Sequence, residues 1–259
     1  MKSALVKILG FPATLIHGDT LVLDRWLWLK ERLPQTSTSD KLIDIGCGTG
    51  AFTIGAALLG YEALGLSWDE RNQSVAKQRA LLCGAKSANF EVLDVRKLDR
   101  RQDLIAQFDL AISLEVIEHI LDDRKLMRDI ANCLKPGGRL LLTTPNYDYK
   151  PITAMDKGPF PTVETGWHVR KGYTEASLIN LCKEAGFVVD SISFCSGFFS
   201  QKTTFFFRFF SKIHPLLGWS FILPLRGLPP LVDPVVTKLL HWPEFSICLE
   251  AHKPNETEA

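Results

Sequence analysis

Two short stretches of this chain carry residue types suited to chemistry rather than to packing. In Leu42-Ile43-Asp44-Ile45-Gly46-Cys47-Gly48-Thr49-Gly50 an apolar run enters a glycine-rich turn. There the backbone can take positive φ and a ligand can approach with no Cβ in its way. The spacing is G-x-G-x-G, with Ala51 where the dinucleotide-binding fingerprint would place its third glycine. Asp44, two residues before the first glycine, aims a carboxylate at the turn. That charge repels a pyrophosphate and suits a cationic amino-acid moiety, which disfavours a nicotinamide oxidoreductase. The bland alternative is a turn that only connects strand to helix. The second stretch, Glu115-Val116-Ile117-Glu118-His119, groups two carboxylates with an imidazole. Glu115 and Glu118 share a face if the segment turns helical. Such a set suits a hard or borderline divalent ion, or a proton-accepting role for the histidine.

These residues need a scaffold that brings them together. Thr20–Leu33 reads as a helix with Leu23, Trp26, Leu27 and Leu33 near one face, ended by Pro34 and followed by a polar linker over 35–40. Strand and helix then alternate: strand Lys41–Cys47, helix Thr49–Leu59, strand Tyr61–Ser67, helix Asp69–Cys83, strand Asn89–Asp94. Strand Phe108–Glu115, helix Asp122–Leu134, a Pro136-Gly137-Gly138 turn and strand Arg139–Thr144 continue the pattern. This rhythm implies a parallel sheet covered by helices on both faces. A proline- and glycine-bearing loop spans 146–172, and long ordered loops tend to be functional. Helix Thr174–Ala185, strand Phe187–Phe194 and a closing strand Glu244–Lys253 complete the series.

With both stretches and the alternation in view, the chain resembles the class I S-adenosylmethionine-dependent methyltransferases over about residues 40–195. DIGCGTG (44–50) is similar to their first motif, and LKPGGRLLLTTPN (134–146) to the segment after their fourth strand. The resemblance implies a Rossmann-like α/β fold with seven strands, mostly parallel, in the order 3-2-1-4-5-7-6. It implies S-adenosyl-L-methionine held by Asp44, Gly46, Cys47, Gly48 and Gly50, with Leu114 at the end of the fourth strand beside it. Asp94, before Val95, matches the acid facing the adenine amino group. The second strand of the family ends in an acid for the ribose, but this chain has Gly65-Leu66-Ser67-Trp68-Asp69. That variation resembles the cyclopropane synthases, giving Ser67 and Trp68 the ribose edge and adenine face, with Asp69 or Asn72 assisting. The alternative for Trp68 is packing against the following helix. EVIEHI (115–120) resembles the fourth-strand motif of ubiquinone-pathway O-methyltransferases and plant-type small-RNA 2′-O-methyltransferases. There two glutamates, this histidine and a later one can hold a divalent metal; the later one here is His168, in Gly166-Trp167-His168-Val169-Arg170. Two roles are open to Glu115, Glu118, His119 and His168: metal ligands, or a metal-free cavity lining in which a histidine serves as base.

The organisation expected is an N-terminal helical segment over 1–40 and a methyltransferase domain over 41–259. A hydrophobic insert occupies 197–243, before the last strand. In the insert Phe205, Phe206, Phe207, Phe209 and Phe210 interleave with Lys202, Arg208 and Lys212, with no acid in that run. Aromatic residues mixed with basic ones resemble an interfacial segment. The insert is therefore expected to receive a hydrophobic, aromatic or lipid-like acceptor and to touch a membrane surface, or else to form a packed lid or dimer face. Bulk composition excludes other classes. Among 259 residues, 46% hydrophobic and 23% charged, the net charge is +1, so no basic surplus points to nucleic acid. Six scattered cysteines without a CxxC pair suggest reduced thiols and a cytoplasmic setting. The N-terminal apolar run is broken by Lys7 and Pro12, against a signal peptide. The rival class is a non-catalytic binding protein that keeps this fold; the intact Asp44 turn and Asp94 speak against it.

Overall fold

The computed structural model describes residues 2–16, 21–36, 40–225 and 229–255. The strands are β1 (Lys41–Ile45), β2 (Glu62–Ser67), β3 (Ala88–Val92), β4 (Phe108–Leu114), β5 (Leu134–Pro145), β6 (Val188–Cys195) and β7 (Ser246–His252). They form one sheet in the order β3-β2-β1-β4-β5-β7-β6. Strands β1 to β5 are parallel, and β7 runs antiparallel to both β5 and β6. This is the order and direction that the resemblance implied.

Alternation along β1 shows how the sheet is covered. Ile43 and Ile45 face a core that includes Leu126 and Ile130 of α5 (Asp123–Cys133) and Leu178 of α6 (Glu175–Glu184). Leu42 faces the other core, with Trp26 and Trp28 of α2 (Val22–Arg32), Ile54 of α3 (Ala51–Leu58) and Ala76 of α4 (Glu70–Cys83). Side chains two apart on a strand share a face, so Asp44 points to the α3 side with Leu42. The N-terminal segment, which also holds α1 (Lys2–Leu9), thus packs on the sheet through α2.

Several local readings change. On and beside α2, Leu21, Arg25, Trp26, Trp28, Leu29 and Leu33 are buried, as expected for Trp26 and Leu33, while Leu27, expected on the same face, is exposed. Thr20 and residues 37–39 of the expected linker lie outside the described residues. The Pro136-Gly137-Gly138 turn is not a break before the fifth strand. It lies within β5 as an irregularity, where the β4 register jumps from Phe108↔Leu134 to Leu110↔Arg139 and Gly137 takes φ 74°. The insert is helical: α7 (Phe198–Ile213), α8 (Pro215–Ile222) and α9 (Pro229–Leu239). Asp233 of α9 accepts from the N–H groups of Phe199 and Ser200 at 2.6 and 2.9 Å, capping the start of α7 across the insert. The six cysteines are free thiols.

Candidate active site

The functional residues read from the sequence gather at the carboxyl ends of adjacent strands, where open α/β sheets bind ligands. Gly46 to Gly50 follow β1, Ser67 and Trp68 end β2, Asp94 and Val95 follow β3, and Leu114 and Glu115 end β4.

The three glycines of the turn are needed for different reasons. A Cβ on Gly46 would lie 2.6 Å from Val116 Cγ2, and one on Gly50 would lie 2.6 Å from the Phe90 ring. Gly48, at φ 53°, would meet nothing within 4 Å, so its neighbourhood is open as a ligand cradle must be. Asp44 is buried and accepts from Thr53 Oγ1 at 2.6 Å. Burial raises its carboxyl to about 7, so a cationic group brought beside it would draw it into the charged form. Cys47 is buried under the turn, its sulfur accepting from Gln73 Nε2 at 3.3 Å.

Ser67 is buried at the end of β2, and Trp68 is 68% exposed, so its ring is not packed against α4. Asp69 is committed as the N-cap of α4, accepting from the N–H groups of Arg71 and Asn72. Arg96 holds Asp94 in a fork at 2.8 and 2.7 Å, and this hydrogen bonding keeps the carboxyl below its usual range. Val95 and Leu114 are buried beside these groups.

The carboxylate–imidazole cluster is only partly as expected. Ligand atoms of Glu118, His119 and His168 all lie within 4.8 Å of one another, and the two imidazoles meet edge to face at 4.6 Å. Glu115 does not join this group of ligand atoms. Its backbone sits at φ 56°, a position that favours glycine. Its Oε1 accepts from Thr143 and Ser246 at 3.0 and 2.9 Å, while Oε2 pairs with Arg25 at 3.2 Å. Glu118 is fully buried; burial first and the charge of Glu115 second hold its carboxyl well above the usual range. Thr144 donates to its Oε2 at 3.2 Å, while Glu118 Oε1 and His119 Nδ1 lack hydrogen-bond partners. Burial lowers both histidines, His168 to about 4, so both imidazoles are neutral at pH 7. The orphaned Glu118 Oε1, with His119 Nε2 at 3.8 Å and a neutral imidazole pair beside it, fits a divalent cation.

His168 is distant in sequence but is stapled in place. The Val169 N–H donates to the Glu118 carbonyl at 2.9 Å. Arg170 pairs with Asp123 and donates to Tyr173 Oη and the carbonyls of Ile120 and Leu121. Glu115, His119 and His168 line a cavity of about 890 Å³, together with other residues of loop 146–172 and residues of α7. Its aromatic lining includes Tyr149, Phe160, Trp167, Phe207 and Phe245.

Sequence reasoning missed Arg25, a cavity-lining residue that neutralises Glu115. The signal was present: a lone cation within the apolar stripe of α2. The run 202–212 holds no acid, yet two of its basic residues find partners elsewhere in the protein. Arg208 in fact pairs with Asp156 at 3.1 Å, and Lys202 lies over the Trp242 and Phe198 rings.

Comparison with known proteins bears on this arrangement. Residues 23–192 match the sequence profile of the methyltransferase domain family. A ubiquinone biosynthesis O-methyltransferase of Marinobacter nauticus is 34% identical over 110 residues, 42% of this chain and 46% of that protein. The chain spans about half the length of the curated relatives it matches. Phosphoethanolamine N-methyltransferase 2 of Haemonchus contortus, solved with S-adenosyl-L-methionine, superposes at TM-score 0.63 and 18% identity, over 89% of this chain and 52% of that one. The [4+2]-cyclase SpnF superposes at 0.61 and 20% identity, over 90% and 82%. At these identities the solved structures establish the fold.

Proposed function

The chain belongs to the class I S-adenosylmethionine-dependent methyltransferases, and we propose that it methylates a hydroxyl oxygen on a hydrophobic, aromatic or lipid-like acceptor. The observation that carries this reading is the cavity of about 890 Å³, lined by neutral imidazoles and by aromatic rings. The relatives' assignment to ubiquinone biosynthesis accords with an acceptor of this kind.

When bound, S-adenosyl-L-methionine supplies an electrophilic methyl on its sulfonium. Asp44 would receive the cationic amino-acid end, and the open face of Gly48 would let it lie against the turn. Ser67 and Trp68 would take the ribose edge and adenine face, and Asp94 the adenine amino group through lone pairs not used by Arg96. The aromatic wall excludes water and orients the acceptor, which is where most of the rate gain in such a transfer arises. An unprotonated nitrogen of His119 or His168 would accept the acceptor's hydroxyl proton as its oxygen takes the methyl group.

A second reading is favoured by the orphaned Glu118 Oε1, which lies 3.8 Å from His119 Nε2. Glu118, His119 and His168 would hold a divalent ion, which would lower the acceptor's hydroxyl pKa. Titration calorimetry with S-adenosyl-L-methionine, then transfer of a labelled methyl to an alkyl-substituted phenol, tests the main proposal; absence of cofactor binding would sink it. Turnover that survives a chelator leaves the imidazole acting alone, whereas turnover lost to a chelator and restored by magnesium, manganese or zinc supports the ion.

A further inference from the structure

The segment 198–240, which holds α7, α8 and α9, carries nearly half of the large apolar side chains that the described residues expose. On α7, Phe206 and Phe209 are 42% and 52% exposed; on α9, Leu231 and Leu239 are 76% and 72% exposed. Phe205 stacks on Phe209 and Phe206 on Phe210, so the rings form a continuous row along α7. Helices α8 and α9 both pack on α7. A contiguous apolar face of this kind marks an interaction surface.

Charge narrows the choice of partner. The sequence from 197 to 243 holds a single acid, Asp233, and it is buried in the α7 cap. Arg208 and Lys202 are engaged within the protein, but Lys212 and Lys238 are exposed. Among the described residues of 197–243 the exposed charges are both cations, and with the exposed apolar side chains they complement an anionic lipid surface. A symmetric pair of these chains fits poorly, because an isologous contact would set like charges against each other.

The same helix also reaches the candidate active site: Phe207, Arg208, Ser211 and Lys212 line the acceptor cavity. We propose that α7–α9 rest on an anionic lipid surface, with α7 standing between the lipid and the cavity, so that an apolar acceptor reaches the cavity without crossing water. The delivery role rests on the acceptor class proposed above; the lipid contact itself does not. No helix among the described residues is long and apolar enough to cross a membrane, so the contact is peripheral.

Co-sedimentation of the full chain with vesicles of phosphatidylglycerol and phosphatidylcholine tests this. Binding is expected at low salt, falling at least about tenfold at high salt and on pure phosphatidylcholine. Phe206→Asp with Phe209→Asp should abolish it, as should Leu231→Ser with Leu239→Ser on the neighbouring helix. Lys238→Gln should lower the partition about fivefold. Each variant must keep its affinity for S-adenosyl-L-methionine, which shows that it folds. A wild-type protein that ignores the anionic vesicles at low salt overturns the inference. So does a dimer seen by light scattering that the Phe206/Phe209 variant dissolves while vesicle binding is absent. Vesicle binding without cofactor binding would keep the surface and remove the catalytic reading; cofactor binding without vesicle binding would do the reverse.

Discussion

At the scale of single residues, the glycine turn separates fold from function. Gly48→Ala adds a methyl into open space at a cost of about 1–3 kcal/mol of backbone strain. The chain should fold and lose at least about tenfold in S-adenosyl-L-methionine affinity by calorimetry. Gly46→Ala instead drives a Cβ against Val116, so thermal stability should fall, and Val116→Ala in the same chain should recover part of it. Asp44 gives a pH dependence. Its carboxyl stands at about 7 in the fold against 3.8 unperturbed. The stability it contributes to the unliganded protein is fully present below about pH 4 and is lost as pH rises through about 7. An ammonium partner needs the charged form, so cofactor affinity should climb toward pH 7 and level off above it. Asp44→Asn should flatten both slopes; an unchanged affinity profile in that variant would count against the contact. Glu115→Gln leaves Arg25 buried without its counter-charge, and denaturant unfolding should register a loss of about 3 kcal/mol or more. Sequence displayed the turn and the ExxEH cluster because both are local. It could not show that Glu115 is diverted to Arg25, Thr143 and Ser246, since those partners arrive from α2, β5 and β7.

At the scale of elements, the parallel strands were legible because buried apolar runs alternate with capped helices; Asp69 and Gly84, for example, bracket α4. The Pro136-Gly137-Gly138 segment misled because a local turn signal cannot reveal a strand that continues on both sides. The insert was legible as a distinct composition but not as three helices. Its α7 start is capped by Asp233, more than thirty positions away. Asp233→Ala should lower stability by about 1–2 kcal/mol, with faster amide exchange concentrated in the first turn of α7. Loop 146–172 depends on the Arg170 staple in a similar way. Arg170→Ala removes the side-chain part of the staple beside the 310 turn at Ile117–His119 and leaves His168 held there by the Val169 N–H bond alone. On an identified acceptor, kcat should then fall by on the order of 100-fold while cofactor affinity stays nearly constant. A matched fall in both would mean that the staple serves the whole sheet rather than the histidine.

At the scale of the molecule, the β6–β7 register offers a direct experiment. Cys195 pairs with Ser246, and the Phe245 N–H donates to the Ser196 carbonyl, so the ends of the insert already meet. Replacing residues 198–243 by a short glycine-serine turn should close an ordinary hairpin. The glycine turn and the ends of β2 and β3 would be untouched, so S-adenosyl-L-methionine affinity should stay within about threefold. Methyl transfer to an apolar acceptor should disappear with the α7 wall of the cavity. Loss of cofactor binding in a folded variant would show the two sides of the site to be coupled.

That separation along the polypeptide also bears on descent. Cavity-lining positions are concentrated in loop 146–172 and the insert, away from the strand ends proposed for the cofactor. Duplicated genes could therefore drift in the length and composition of these two segments, acquiring new substrates while inheriting an unaltered methyl-donor apparatus.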